Sequence, residues 1–270
     1  MSNPMILNKT TEKRGVTMVE ELSNYLKVCD IEVVATEDFS VPATKADTHS
    51  ILVLPSYNIL EMIEEAVDEE GSLSAYVHNQ LAEVHSLSVE DAFRRIVNSR
   101  LLYTDISSEL KNLDGKNFEE IYKAYSLIWE GHELIDEQRS ETETESFQIS
   151  EKWVQDRLED EALIVLELPL ASGYEAPLWV PMGGYNECPL PVYQSVIVKH
   201  WQEAYGIKIL AVTEDTWTFQ AGSRPQTYQD ALKLAQEHFI FCQYVLDEFP
   251  SLGHYADYLM KQDVWYFWWD

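Results

Sequence analysis

Between Glu130 and Glu161 the chain carries 12 acidic residues against only Arg139, Lys152 and Arg157, with Glu141-Thr-Glu-Thr-Glu145 at the centre. Like charges at this density repel one another and hold their segment in water. The stretch is therefore expected to separate two folded units rather than to run along a core. Gln138 to Ser146 reads as an exposed linker, and Ser150 to Val154 as the start of a following helix. A length of 270 residues fits that division, since domains commonly hold about 100–200 residues. The expected organisation is a flexible tail over 1–15, an α-rich domain over 16–137, an acidic linker over 138–149 and a mixed α/β domain over 150–270.

Hydropathy patterning fills in each part. In the first, Val16, Val19, Leu22 and Leu26 recur at helical spacing, and Ile31 to Ala35 and Ser50 to Leu54 read as short strands. Tyr57 to Val67 places Ile59, Ile63, Ala66 and Val67 on one face and Glu61, Glu64 and Glu65 on the other. Ser88-Val-Glu-Asp91 has the spacing of a capping box and opens another helix, and a further one is expected over Asn117 to Ile135. In the second part, Ala162 to Leu168 is an apolar strand, Pro177 to Pro181 an extended piece, and Gly183-Gly184 a turn. Pro189 to Tyr205 reads as a helix stopped by Gly206, followed by a hairpin of Ile207 to Val212 and Trp217 to Gln220. Thr227 to Leu246 is a long helix and Ser251 to Lys261 a short one. The aromatic run Val264-Trp-Tyr-Phe-Trp268 predicts a strand buried on both faces, in the interior of a sheet. The fold class is α+β, a mixed α/β chain in which an α-rich N-terminal part with a small sheet precedes a mixed sheet flanked by helices.

Several of these residues in order, Val180-Pro-Met-Gly-Gly-Tyr-Asn-Glu-Cys-Pro189, the helix with Trp201, the hairpin, the helix with Cys242 and the closing Trp265-Tyr-Phe-Trp-Trp-Asp270, carry a resemblance. Residues from about 150 to 270 resemble the bacterial domain of unknown function 4253 family, and the first 147 lie outside it. The resemblance implies a domain boundary but no activity, cofactor or catalytic residue. By association alone, small acidic proteins of such families suggest neutralisation of toxins.

Charge and composition exclude several classes. A net charge of −28 disfavours direct nucleic-acid binding, which needs clustered cations. No window approaches the roughly 20 apolar residues of a membrane span, and Met1 to Gly15 lacks a secretory apolar run. Cys29, Cys188 and Cys242 are too far apart in sequence to form a disulfide framework, which fits a cytoplasmic protein. Hydrophobic residues at 46% are enough to fold most of the chain.

For chemistry, Cys188 stands just before a helix start, where a thiol is able to act as a nucleophile with His200, His238 or His254 as base. Tyr185, Asn186, Glu187 and Cys188 are thus a candidate pocket. The competing and stronger reading makes Asn186 and Glu187 turn and cap residues and Cys188 a small buried side chain. His238 and Cys242, four apart, have the spacing of two metal ligands, but core packing is the stronger reading, and no metal or other cofactor is expected. Phosphate-loop, zinc-protease and nucleophile-elbow motifs are absent. The reading is a non-enzymatic acidic protein that engages a basic protein partner, in the form of an immunity or antitoxin factor. Its expected binding residues are Glu141, Glu143, Glu145, Trp269 and Asp270, the last two at an exposed rim. The alternatives are a nucleic-acid mimic that blocks a DNA- or RNA-binding enzyme, and a thiol- or metal-dependent enzyme centred on Cys188. Oligomeric state is not legible.

Overall fold

The computed structural model describes residues 17–42, 45, 47–102, 104, 112–147, 163–183 and 186–269. Its first helix, α1 (Met18–Val28), begins at a capping box in which Thr17 and Glu20 exchange side-chain and backbone bonds. Strands β1 (Glu32–Thr36) and β2 (Thr48–Val53) follow, then α2 (Tyr57–Glu70), α3 (Leu73–Ser86) and α4 (Val89–Leu101). Ser56, Ser72 and Ser88 cap these three helices, and Ser88 forms the expected box with Asp91. Helix α5 (Phe118–Ser126) starts at a box between Asn117 and Glu120. It is shorter than the 3.6-residue pattern predicts: two short 3-10 turns follow, and Gly131 between them takes φ 85°, which breaks the helix.

Strand β3 (Leu163–Pro169) leads through a 3-10 segment into the four-residue helix α6 (Ala176–Trp179), where an extended piece is expected. Pro177 lies in its first turn, where a missing N–H costs nothing. Helix α7 (Pro191–Tyr205) ends at Gly206 in the left-handed conformation, φ 62°. The hairpin β4 (Lys208–Val212) and β5 (Thr216–Gln220), helices α8 (Tyr228–Phe241) and α9 (Leu252–Lys261), and strand β6 (Val264–Trp268) complete the chain. Helix α8 ends before Cys242, whose φ of −145° is extended, so the long helix expected to Leu246 closes one turn early into a 3-10 segment.

The six strands form one mixed sheet in the order β1-β3-β2-β4-β5-β6, the class the sequence predicts. Among the described residues only the β2–β4 pairing is parallel. The two halves are not separate in this sheet. Strand β3, which follows the acidic stretch, lies between β1 and β2, which precede it, with Val34 and Leu52 both opposite Val165. One continuous core takes Leu22, Ile63, Phe93 and Ile121 from the first half and Leu166, Ile197, Trp217, Phe239 and Phe267 from the second. The helices contribute to this core on one face of the sheet. The opposite face carries a small cluster of Leu52, Leu54, Leu163 and Ala211, beside which Ser50 donates to the buried Glu167 at 2.8 Å.

Strand β6 is an edge strand rather than the interior one expected. Its alternation is nonetheless clean. Trp265 and Phe267 are fully buried on the helix face opposite Phe219 and Trp217, while Tyr266 and Trp268 are half-covered on the other. Trp201 of α7 is the hub of the ring cluster on the helix face: it stacks on Phe267 at 5.6 Å and meets His238, Phe241 and Trp265 edge-on. Its indole N–H donates to the buried carboxylate of Glu237 at 2.9 Å.

The interleaving of β3 carries a direct prediction. A fragment of residues 150–270 leaves β3 and β4 without their partners β1 and β2, so it should show no cooperative thermal transition by circular dichroism. A fragment melting as sharply as the full chain would restore the two-domain division.

Candidate functional site

Glu141, Glu143 and Glu145 stand on a strap, residues 136–147, that runs over α9. The strap is not the free linker that its charge suggests. Gly253 N–H donates to Asp136 O at 2.9 Å, and Gly253 comes so close to Gln138 that an added Cβ would collide with the Gln138 carbonyl oxygen. Further along, Thr142 N–H donates to Asp257 Oδ2 at 3.0 Å and Lys261 Nζ to Thr142 O at 3.0 Å. Phe147 N–H donates to Tyr258 OH at 3.3 Å, and the Phe147 ring lies 5.4 Å from Tyr258 and 5.5 Å from Tyr266. Exposure alternates along the strap: Glu141, Glu143 and Glu145 face water, while Thr142, Thr144 and Ser146 are half-buried between them. The carboxylates stay hydrated while the main chain is held.

Asp257 is the latch. Its side chain is 1% exposed and meets Lys261 Nζ at 2.6 Å and Arg139 Nη2 at 3.6 Å. Burial pushes its carboxyl up, but the Lys261 and Thr142 hydrogen bonds and the Lys261 and Arg139 charges outweigh that and hold it below its ordinary 3.8. A carboxyl with a depressed folded pKa stabilises the fold above 3.8 and loses that contribution as the pH falls through the lower folded value.

The other end of the expected binding edge is different. Trp269 is 1% exposed, packed on Phe241 at 5.4 Å, and its backbone N–H donates to Asp215 O at 3.0 Å. It belongs to the core and not to a rim, because the turn before β5 captures the chain just past β6. Asp270 and Tyr185 lie outside the described residues.

Asn186, Glu187 and Cys188 line a cavity of about 620 Å³, within the usual size range of small-molecule sites. Helix α4 supplies Arg95, Ile96, Ser99 and Arg100 to its wall; α5 and the turn after it supply Tyr125, Ile128 and Trp129. The far side is the loop 186–190, with Tyr193 of α7 and Gln243 after α8. The loop takes two consecutive left-handed residues, Asn186 at φ 44° and Glu187 at φ 60°. Such a conformation is tolerated by Asn and disfavoured for Glu. Two side chains hold it: Arg100 Nη2 donates to Glu187 O at 3.0 Å, and the buried Gln194 Nε2 donates to Met182 O at 2.9 Å and Pro189 O at 2.7 Å. Gln194 Oε1 in turn accepts from the Trp217 indole at 2.8 Å.

Within this wall Cys188 is 7% exposed, and burial, with a further push from Cys242, raises its thiol well above the ordinary 9.0. A helix start does not activate it, because desolvation of the thiolate is the larger effect. Among the described residues no histidine lines the cavity. His238 instead lies fully buried 2.8 Å from Tyr255 OH, and desolvation holds it well below 6.5 and so neutral. Its supposed metal partner Cys242 lies beyond the helix end and donates its S–H to Trp268 O at 3.1 Å.

Arg95, Arg100 and Gln243 carry no local motif and were not anticipated. The usable signal is the rarity of cations: three of the 19 Lys and Arg residues, Arg94, Arg95 and Arg100, stand on one amphipathic helix.

Residues 164–270 match the model of a family described as a domain of unknown function (DUF4253). The match opens inside β3 and takes in the loop 186–190, Tyr193 and Gln243, but neither β1 and β2 nor the α4 and α5 side of the cavity. Comparison with curated proteins and with solved structures gives no match.

Two measurements follow from this geometry. Cys188 should alkylate with iodoacetamide at pH 8 far more slowly than the half-buried Cys29, and both should react alike in denaturant, as read by intact mass; fast native labelling of Cys188 would contradict its burial. Asp257→Asn should cost about 1–2 kcal/mol in urea unfolding, with the Lys261 and Arg139 charges discounted for their exposure. It should also speed proteolysis between Gln138 and Phe147, and an unchanged cleavage pattern would show that the strap is held without the latch.

Proposed function

We propose that this chain is a non-enzymatic binding protein whose acidic surface engages and occludes a basic protein partner. The observation that carries the reading is the held strap. Carboxylates on a mobile linker must be ordered on binding, at a cost in chain entropy, whereas Glu141, Glu143 and Glu145 face water from a main chain already tied to α9. A second acidic surface lies on α2, where Glu61, Glu64, Glu65, Asp68, Glu69 and Glu70 are all exposed and no Lys or Arg is present. With a net charge of −28, such a surface would steer a cationic partner and make association salt-sensitive. The burial of Cys188 and its raised thiol favour this reading over a thiol enzyme.

The specific form proposed is an immunity factor that occludes a basic toxin in the bacterial cytoplasm. Three free cysteines are compatible with a reducing compartment. Among the described residues no helix is long and apolar enough to cross a membrane.

The test compares the wild-type chain with the triple variant Glu141→Lys, Glu143→Lys, Glu145→Lys as bait in native lysate at low and moderate salt. The expected result is one basic protein held by the wild type, released by salt and lost by the variant. Retention by both baits would remove the strap from the interface. A captured nucleic-acid enzyme, in place of a toxin, would turn the proposal towards nucleic-acid mimicry.

A further inference from the structure

Arg100 is the unusual group of the cavity between α4 and the loop 186–190. Its Nη1 donates to Tyr125 OH at 2.9 Å and Ile240 O at 2.7 Å, and its Nη2 to Glu187 O at 3.0 Å. All three acceptors are neutral. Among the described residues no carboxylate pairs with it, in a chain with 47 Asp and Glu. A guanidinium has five N–H groups; with three engaged, five less three leaves two. Arg100 is only half exposed to water, so its charge is partly desolvated, and among the described residues no counter-ion meets it. That arrangement is costly in isolation and is relieved by an anion.

The surroundings define what kind of anion. Arg100 lies over the Tyr125 ring at 5.2 Å, and the Trp129 ring stands edge-on to Tyr125 at 6.4 Å. Across the cavity, Tyr193 lies beneath Arg95, whose charge is already paired with Glu83 at 2.9 Å. Apolar walls come from Ile96, Ile128 and Leu190. Glu187 also borders the space, with its side chain turned to solvent and its carbonyl bound to Arg100. A cation that no carboxylate pairs among the described residues, in a space of about 620 Å³ walled by rings, suits a molecule with one acidic group and a planar apolar body, and the space is too small for a folded partner.

We propose that this cavity binds a small organic anion, its carboxylate, phosphate or sulfonate meeting Arg100 and its apolar ring lying among Tyr125, Trp129 and Tyr193. The site is composite. The cation and two of the rings come from the N-terminal half, and the loop and Tyr193 from the segment that matches the family. It uses none of the strap carboxylates, so its success or failure is independent of the proposed protein partner.

The probes are 1-anilinonaphthalene-8-sulfonate and its uncharged analogue N-phenyl-1-naphthylamine, followed by fluorescence on the full chain. The sulfonate should bind saturably at one equivalent, against the repulsion of a net charge of −28. Arg100→Gln should weaken the sulfonate about tenfold or more, the scale of one lost charge-assisted hydrogen bond, and change the uncharged probe less than about twofold. Because Arg100 also braces the Glu187 carbonyl, a second variant is needed. Ser99→Glu sets a carboxylate on the exposed turn of α4 that borders the cavity, and should weaken the sulfonate alone with an unchanged melt. Loss of both probes in parallel by a folded Ser99→Glu variant, or sulfonate binding that is unsaturable or indifferent to both substitutions, would overturn the proposal.

Discussion

Strand β3 pairs antiparallel with β1 on one side and β2 on the other, and most of the remaining structure depends on that insertion. Without β3, β1 has no partner in the sheet, and β2 keeps only a short parallel register of Leu52 and Val53 with Ala211 and Val212. With it, Ile164, Leu166 and Leu168 close the helix face between Val33 and Ile51, so that α1 and α2 share one apolar surface with α7 and α8. The pairing is long-range in sequence, and its loop-closure cost is repaid only when the whole face is buried at once.

The same closure explains why an acidic segment is able to lie against a folded surface. A run of like charge resists burial of its side chains, not of its main chain. Along 141–147 the polar Thr and Ser side chains turn inward and the carboxylates outward, which leaves the backbone free to meet Asp257, Tyr258 and Lys261. Phe147 then covers Tyr266 on the outer face of β6. An edge strand with an aromatic outer face is an aggregation hazard; the end of the strap shields part of it.

The loop 186–190 shows the opposite balance. Its sequence, Asn-Glu-Cys-Pro, has the look of a reactive motif, yet its strained backbone is spent on shape. Arg100 and Gln194 hold two left-handed residues in place, and the thiol between them is buried and protonated. What the loop builds is a wall, and the chemistry offered at that wall is the cation of α4. A motif search weighs the loop and overlooks the helix, because one of the three arginines of α4 looks like any other surface cation until its acceptors are known.

Local physics wrote much of this protein into the sequence. Ser88 and Asp91 announced a helix start, Gly206 a left-handed stop, the run of closing aromatics a strand, and Thr213 to Thr216 a hairpin turn. These depend on neighbours within a few residues, so the order of residues along the chain suffices to specify them. Tertiary structure alone decided the slot of β3, the edge position of β6, the burial of Trp269 and the docking of the acidic strap. The reason is the same in each case: whether a segment lies in water or against protein is set by surfaces contributed from elsewhere in the chain, 25 residues away for Tyr125 and Arg100 and 115 for Asp257 and Thr142.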